Sequence, residues 1–167
     1  MTDQKIIRKR KTGKRDVRRE NHLRRLGTRE PKCVNCGENA PIPLTGRAPD
    51  IICYECQAKA SERSPIEWHH PAGRNNDPFT FPVPGNDHRI LSDLQKDWPQ
   101  ETLRNPTGSP LRKAAATIRG FLDVLRLFIE RLFGWIPDFL ESLDNKLTEH
   151  IGAIWWEKLG LSTEIPG

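Results

Sequence analysis

The stretch Ile66-Glu67-Trp68-His69-His70-Pro71-Ala72-Gly73-Arg74-Asn75-Asn76-Asp77-Pro78, continued by Phe79-Thr80-Phe81-Pro82-Val83-Pro84-Gly85-Asn86-Asp87-His88-Arg89, holds three of the chain's five histidines within twenty residues. Its middle, 71 to 85, is rich in Pro, Gly, Asn and Asp and reads as loop or short strand. Adjacent histidines on an extended strand point to opposite faces. His69 and His70 can therefore take different tasks, one facing a metal and the other a water. Beyond Gly85 the pattern changes: Ile90, Leu91, Leu94 and Trp98 recur at helical spacing. That spacing predicts a helix over 87–98, with Asn86 or Asp87 as its N-cap. His88, at the helix start, can return to the same ion.

Upstream lie two Cys-x2-Cys pairs, Cys33/Cys36 and Cys53/Cys56, with sixteen residues between them. In a chain whose first residues, Met1 to Lys14, contain no apolar run of the signal-peptide kind, such pairs read as metal ligands rather than disulfides. Two residues between thiolates form a tight turn that aims both sulfurs at one ion, and two such turns complete a tetrahedron. The expected group is a closed structural Zn²⁺ site that stabilises and does not catalyse. Four buried free cysteines, or a redox pair, are the bland alternatives.

The histidine stretch resembles the ββα-metal core of the HNH endonucleases, in the variety with a His-His pair, a Gly-Arg-x-Asn-Asp loop and a His-Arg opening the last helix. The resemblance covers about residues 32 to 100 and extends to the Leu94-Gln95-Lys96-Asp97-Trp98-Pro99 run. It implies a divalent-metal site formed by His69 and His88, commonly for Mg²⁺. It implies that His70 is the general base that deprotonates the attacking water, and that Asn76 orients this base and braces the loop. These roles suit phosphodiester hydrolysis, which needs an activated water and a cation to stabilise developing charge. An imidazole, which exchanges its proton near neutral pH, is apt as base. Arg74 and Arg89 are candidate phosphate contacts. The chain departs from relatives that carry a second Cys-x2-Cys just before the final histidine. Pro84 and Asp87 occupy those places here, and Asp87 is a candidate further metal ligand.

Outside this core the charge is uneven. Residues 1–31 hold twelve Lys/Arg against Asp3, Asp16, Glu20 and Glu30, a net +8 in a chain of net +5. A basic arm on a slightly acidic body points to a polyanion partner, DNA foremost. A short helix is expected over 15–26, with too thin an apolar stripe to fold alone. With 35% apolar residues in 167, a single large core is excluded.

After a linker at 101–110 come two amphipathic helices over 111–160. The first carries Ile118, Phe121, Leu122, Leu125, Phe128, Ile129, Leu132 and Phe133. The second carries Phe139, Leu140, Leu143, Leu147, Ile151, Ile154, Trp155 and Leu159, with the joint at Gly134 and Pro137. Asp123, Arg126, Glu130 and Arg131 interrupt any membrane span. The expected roles of this hairpin are packing on the core or forming a homodimer.

The expected architecture is thus α+β. A flexible basic arm at 1–31 precedes a zinc-stapled HNH-like core at 32–100, a linker at 101–110, a helical hairpin at 111–160 and a tail at 161–167. The expected protein is a cytoplasmic endonuclease acting on DNA. The competing readings are a non-catalytic zinc module that binds nucleic acid, and an oligomerisation or docking protein acting through its C-terminal helices.

Overall fold

The computed structural model describes residues 2–160, with side chains from residue 14 onward. The tail at 161–167 and the arm's side chains before residue 14 lie outside the described residues. The elements are α1 (Thr2–Leu26), β1 (Leu44–Arg47), β2 (Asp50–Cys53), α2 (Tyr54–Ala60), β3 (Ile66–His69), β4 (Phe81–Pro84) and α3 (Gly85–Gln95). They continue with α4 (Gln100–Arg104), α5 (Pro110–Phe133), α6 (Ile136–Ile151) and α7 (Trp155–Lys158). The architecture is α+β, with helices around two separate two-stranded antiparallel sheets. Two compact units are distinguished, Met1–Leu125 and Arg126–Gly167.

In the first unit the β1–β2 hairpin carries one small core. Leu26, Cys33, Leu44, Ile51 and Cys53 are buried together, and Ile52 and Cys56 pack against them. Leu26 is the last residue of α1, so the C-terminal end of the basic helix closes this core. Burying a leucine in this way is worth roughly 1.5–3 kcal/mol. The backbone adds a bond from Ala48 N to Leu26 O at 2.9 Å, and His22 Nε2 lies 3.1 Å from Leu44 O.

A second fastening of α1 is ionic. Arg18 spans to α3, with Nε 3.1 Å from Asp93 Oδ1 and Nη1 2.8 Å from Asp97 Oδ1. Its Nη2 also donates to Asp93 O at 3.2 Å. The bond to Asp97, opposed by burial and reinforced by Asp93, holds the guanidinium more firmly charged than usual. Burial opposes ionisation of Asp93, but Arg18 and Lys96 overcome it and hold the carboxyl below its ordinary range. The chain over 15–26 is therefore one end of a longer helix, fixed by Leu23, Leu26 and Arg18.

The second sheet pairs β3 with β4 in the register Ile66↔Pro84, Glu67↔Val83, Trp68↔Pro82 and His69↔Phe81. Prolines at 82 and 84 donate no backbone hydrogen bond, so ladder donation from β4 falls to Phe81 and Val83. The outer edge is correspondingly poor in donors, which discourages further strand addition. The helix α3 follows β4 directly, giving a β-hairpin closed by a helix. It begins at Gly85 rather than 87 and ends at Gln95. Its first turn has no side-chain cap of its own, because Asn86 is used elsewhere, as described below.

The expected linker contains α4, whose end is marked by Asn105 in the left-handed region (φ 40°). Then α5 packs against the loop that follows β3. Ala72, Trp98 and Ala116 form a second buried cluster with Leu103 at its margin, and Trp98 Nε1 donates to Asp123 Oδ2 at 2.9 Å. Lys113 pairs with Asp77 at 3.2 Å.

In the second unit α6 starts with Pro137 in its first turn and ends at Gly152, so the expected second helix is two pieces, α6 and α7. Trp155 Nε1 donates to Asp144 Oδ1 at 2.9 Å, and Trp135 stacks edge-on with Phe139. Phe128, Ile129, Leu132, Phe133, Phe139, Leu140 and Leu143 are all exposed. Among the described residues no helix is long and apolar enough to cross a membrane.

Candidate functional site

The four cysteines meet. Cys33 and Cys36 flank the turn before the hairpin, Cys53 ends β2 and Cys56 lies in the first turn of α2. All four sulfurs lie within 4.8 Å of one another. Backbone N–H groups point at them, Cys53 N to Cys33 Sγ at 3.3 Å and Cys56 N to Cys53 Sγ at 3.4 Å. Cys36 Sγ and Cys53 Sγ are 3.5 Å apart. Burial opposes ionisation of Cys33, but the N–H groups of Cys53, Asn35 and Cys36 bring its thiol down to about 6. Burial and the neighbouring thiols push Cys56 up, and burial and Cys53 push Cys36 up despite the N–H of Glu38. The Cys33 thiolate forms readily, whereas burial and the close sulfurs resist ionisation of Cys56 and Cys36. A bound dication relieves that resistance, so the quartet can hold a metal ion.

The histidines lie in the second sheet and its helix. His69 ends β3 and is 2% exposed. His88 sits in the first turn of α3, and its ring meets that of His69 edge-on with centroids 5.4 Å apart. Phe81, opposite His69 in the ladder, closes the other side at 5.9 Å. Burial, then the neighbouring His88 and His70, lower His69 to about 4, so at neutral pH its ring is neutral. A neutral imidazole is the form that binds a metal. His70, one residue past the strand, is half-buried. Its carbonyl is held by Gly73 N at 3.0 Å and by Gln95 Nε2 at 2.8 Å. Gln95 thus ties the last turn of α3 to the start of the loop. Gly73 has φ 79°, which a β-carbon would strain.

Asn76 is buried at 7% exposure. Its Nδ2 donates to Ala72 O at 3.0 Å and Thr102 O at 2.9 Å, fastening the loop to α4. Neither bond reaches His70, and Asn76 Oδ1 is buried without a hydrogen-bond partner. The bracing expected of this residue is present; a bond to the base is not. Arg74 is exposed. Arg89 instead lies over the Tyr54 ring, 4.1 Å from its centroid, with Nη2 3.5 Å from Glu67 Oε1. Asp87 is half-buried in the same helical turn as His88. Among the described residues, the cysteine quartet is the one set of three or more His, Cys, Asp or Glu donors that converge as metal ligands do.

Neither family models, curated proteins nor solved structures give a match to this chain. The site is therefore read from its own chemistry.

Several residues that build it escaped the sequence reading. Glu67 lies two residues before His69, and alternation puts both side chains on one face of β3. Its Oε2 is 2.6 Å from His88 Nδ1, and its Oε1 accepts from the Tyr54 hydroxyl at 2.5 Å. Glu55 and Asn86 exchange bonds. Glu55 N donates to Asn86 Oδ1 at 3.2 Å, and Asn86 N donates to Glu55 Oε1 at 3.0 Å. Each side chain thereby satisfies a donor left open at the start of the other's helix. Asn86 Nδ2 also reaches Glu38 Oε2 at 3.3 Å. The cysteine module and the histidine-bearing unit are joined through these contacts.

Proposed function

We propose that this chain is a metal-dependent endonuclease of the HNH kind that hydrolyses phosphodiester bonds in DNA, with Zn²⁺ held by Cys33, Cys36, Cys53 and Cys56 as a structural ion. The observation that carries the reading is the pairing of His69, at a strand end, with His88, in the helical turn that follows the hairpin. Their rings are 5.4 Å apart and His70 is next in the chain.

The donors suit a divalent cation such as Mg²⁺. His69 is buried and neutral, and His88 is presented by a carboxylate, the usual support of a ligating imidazole. Such an ion, when bound, stabilises the charge that develops on phosphate oxygens. The protein supplies the rest. His70 takes the proton of the attacking water, on a backbone position held by Gln95 and Gly73. Arg74, which is exposed, is the phosphate contact, whereas Arg89 is engaged with Tyr54 and Glu67 and serves the scaffold. Exposed Lys14, Arg15, Arg19, Arg24 and Arg25 on α1 supply sequence-independent attraction to the DNA backbone.

The test is plasmid cleavage by the full zinc-loaded chain with Mg²⁺ or Mn²⁺, beside His70→Ala. Metal-dependent cutting that disappears in the variant, with DNA binding retained, is the expected result. A folded wild type that binds DNA and cuts under no divalent metal overturns the reading. A second reading, a zinc module that binds nucleic acid without catalysis, is favoured by one observation: Asn76 Nδ2 donates to backbone carbonyls and not to His70.

A further inference from the structure

Glu67 Oε2 and His88 Nδ1 are buried atoms facing each other at 2.6 Å, and neither makes an aligned hydrogen bond with any group. An oxygen lone pair and a nitrogen lone pair repel at that separation, so a hydrogen belongs between them. The other carboxylate oxygen decides which atom owns the hydrogen. Tyr54 donates its hydroxyl to Oε1 at 2.5 Å, and the Arg89 guanidinium stands 3.5 Å away. Oε1 is thus already taken as an acceptor, and Oε2 is the oxygen left facing the ring. The hydrogen in the 2.6 Å gap is assigned to the ring, on Nδ1, which leaves Nε2 as the nitrogen with a lone pair to offer.

Tyr54 comes from the cysteine module. It follows Cys53 directly, its backbone N–H is held by Pro43 O at 3.0 Å, and it opens α2 with Cys53 as N-cap. Its ring is fixed on one side by Arg89 at 4.1 Å. Gly85 stands against it as well: a β-carbon there would fall 2.5 Å from Tyr54 Cδ1. We propose that Tyr54 is a positioning residue which, acting through Glu67, holds His88 with its hydrogen on Nδ1 and its Nε2 free to donate. The cysteine module thereby sets the donor state of a histidine that belongs to the other sheet. The purpose of this arrangement rests on the metal-ligand reading of His88, but its test does not.

The test is a long-range proton–nitrogen NMR spectrum of the full, zinc-loaded, ¹⁵N-labelled chain at pH 7.5, with the His88 signals assigned by mutation. Wild type is expected to show a protonated Nδ1 and an unprotonated Nε2. Tyr54→Phe keeps the ring and its packing but removes the donor, and should move the His88 signals toward an average of the two tautomers. Glu67→Ala should move them further, to a hydrogen on Nε2. Zinc content and amide spectra verify the fold, and Tyr54→Phe suffices if Glu67→Ala does not fold. A wild type with its hydrogen on Nε2 overturns the proposal, as does a tautomer unmoved by the folded variants. A wild type that shows the expected tautomer but cuts no DNA counts against the nuclease and leaves the positioning intact.

Discussion

Gly120, in the middle of α5, rests directly on the carbonyl of Pro71, the residue after His70, so closely that a β-carbon has no room. The obstacle is backbone, which cannot swing away as a flexible side chain would. Gly120→Ala gains up to about 1 kcal/mol of helix propensity but overpacks the contact by roughly 1–3 kcal/mol. Net destabilisation is expected in urea unfolding. A variant as stable as wild type would show that α5 does not need this approach.

That contact also relocates a boundary. Residues 111–125 pack on the loop after His70 through Gly120 and Ala116, Asp123 accepts from Trp98, and the first compact unit runs to Leu125. A chain ending after Pro110 should therefore lose stability, and with it the cleavage proposed above, whereas one ending after Leu125 should keep its stability. Cleavage assays and thermal midpoints of the two truncations decide this. Equal behaviour of the two would refute it.

The Arg18 fork joins residues 75 and 79 positions apart. Arg18→Ala leaves Asp93, 9% exposed in its side chain, with Lys96 as its remaining cation. A loss of about 2 kcal/mol is expected for breaking a part-buried pair by one partner. Hydrogen exchange should show the amides of residues 14–22 losing protection before those of α3. Unchanged protection in α1 would mean that Leu23 and Leu26 alone hold it.

For His69 the pH dependence has a definite sign. Its folded value of about 4 lies below the ordinary 6.5, so the unfolded chain takes up a proton that the folded chain refuses. The associated stability is fully present above pH 6.5 and is lost as the pH falls from there toward 4, with a slope of up to about 1.4 kcal/mol per pH unit. Urea unfolding between pH 7 and 5.5, compared with His69→Gln to cancel other titrations, should isolate that slope. Equal slopes in the two proteins would show that His69 titrates normally.

The quartet is expected to bind one zinc per chain, measured by elemental analysis. Stripping it with a chelator should unfold the β1–β2 hairpin, because two of the five buried residues of its small core, Cys33 and Cys53, are ligands themselves. Cys53→Ser should behave like the stripped protein. A chain that keeps its circular dichroism and thermal midpoint without metal would show that Leu26, Leu44 and Ile51 suffice.

The parts legible in the sequence were those with a local signature. Two Cys-x2-Cys turns announce their own convergence, and a loop rich in proline and glycine ending at a helical repeat announces the hairpin and α3. The rest depended on partners distant in the chain. The bond from Tyr54 to Glu67 and the fork from Arg18 to Asp93 leave no periodic trace. The start of α3 fell two residues earlier than expected because Asn86, a good cap by type, is spent on Glu55. Two signals were there to be read. Glu67 shares a strand face with His69, and Gly120 is an isolated glycine inside a strong helix, a usual mark of close backbone approach.

The exchange between Glu55 and Asn86 finally makes two helix starts a single object. Neither α2 nor α3 finishes its own first turn; each borrows the missing acceptor from the other, 31 positions away. A graft of the cysteine module onto another scaffold, or of the histidine hairpin without it, would carry an unfinished helix end along. The two are heritable only as a pair.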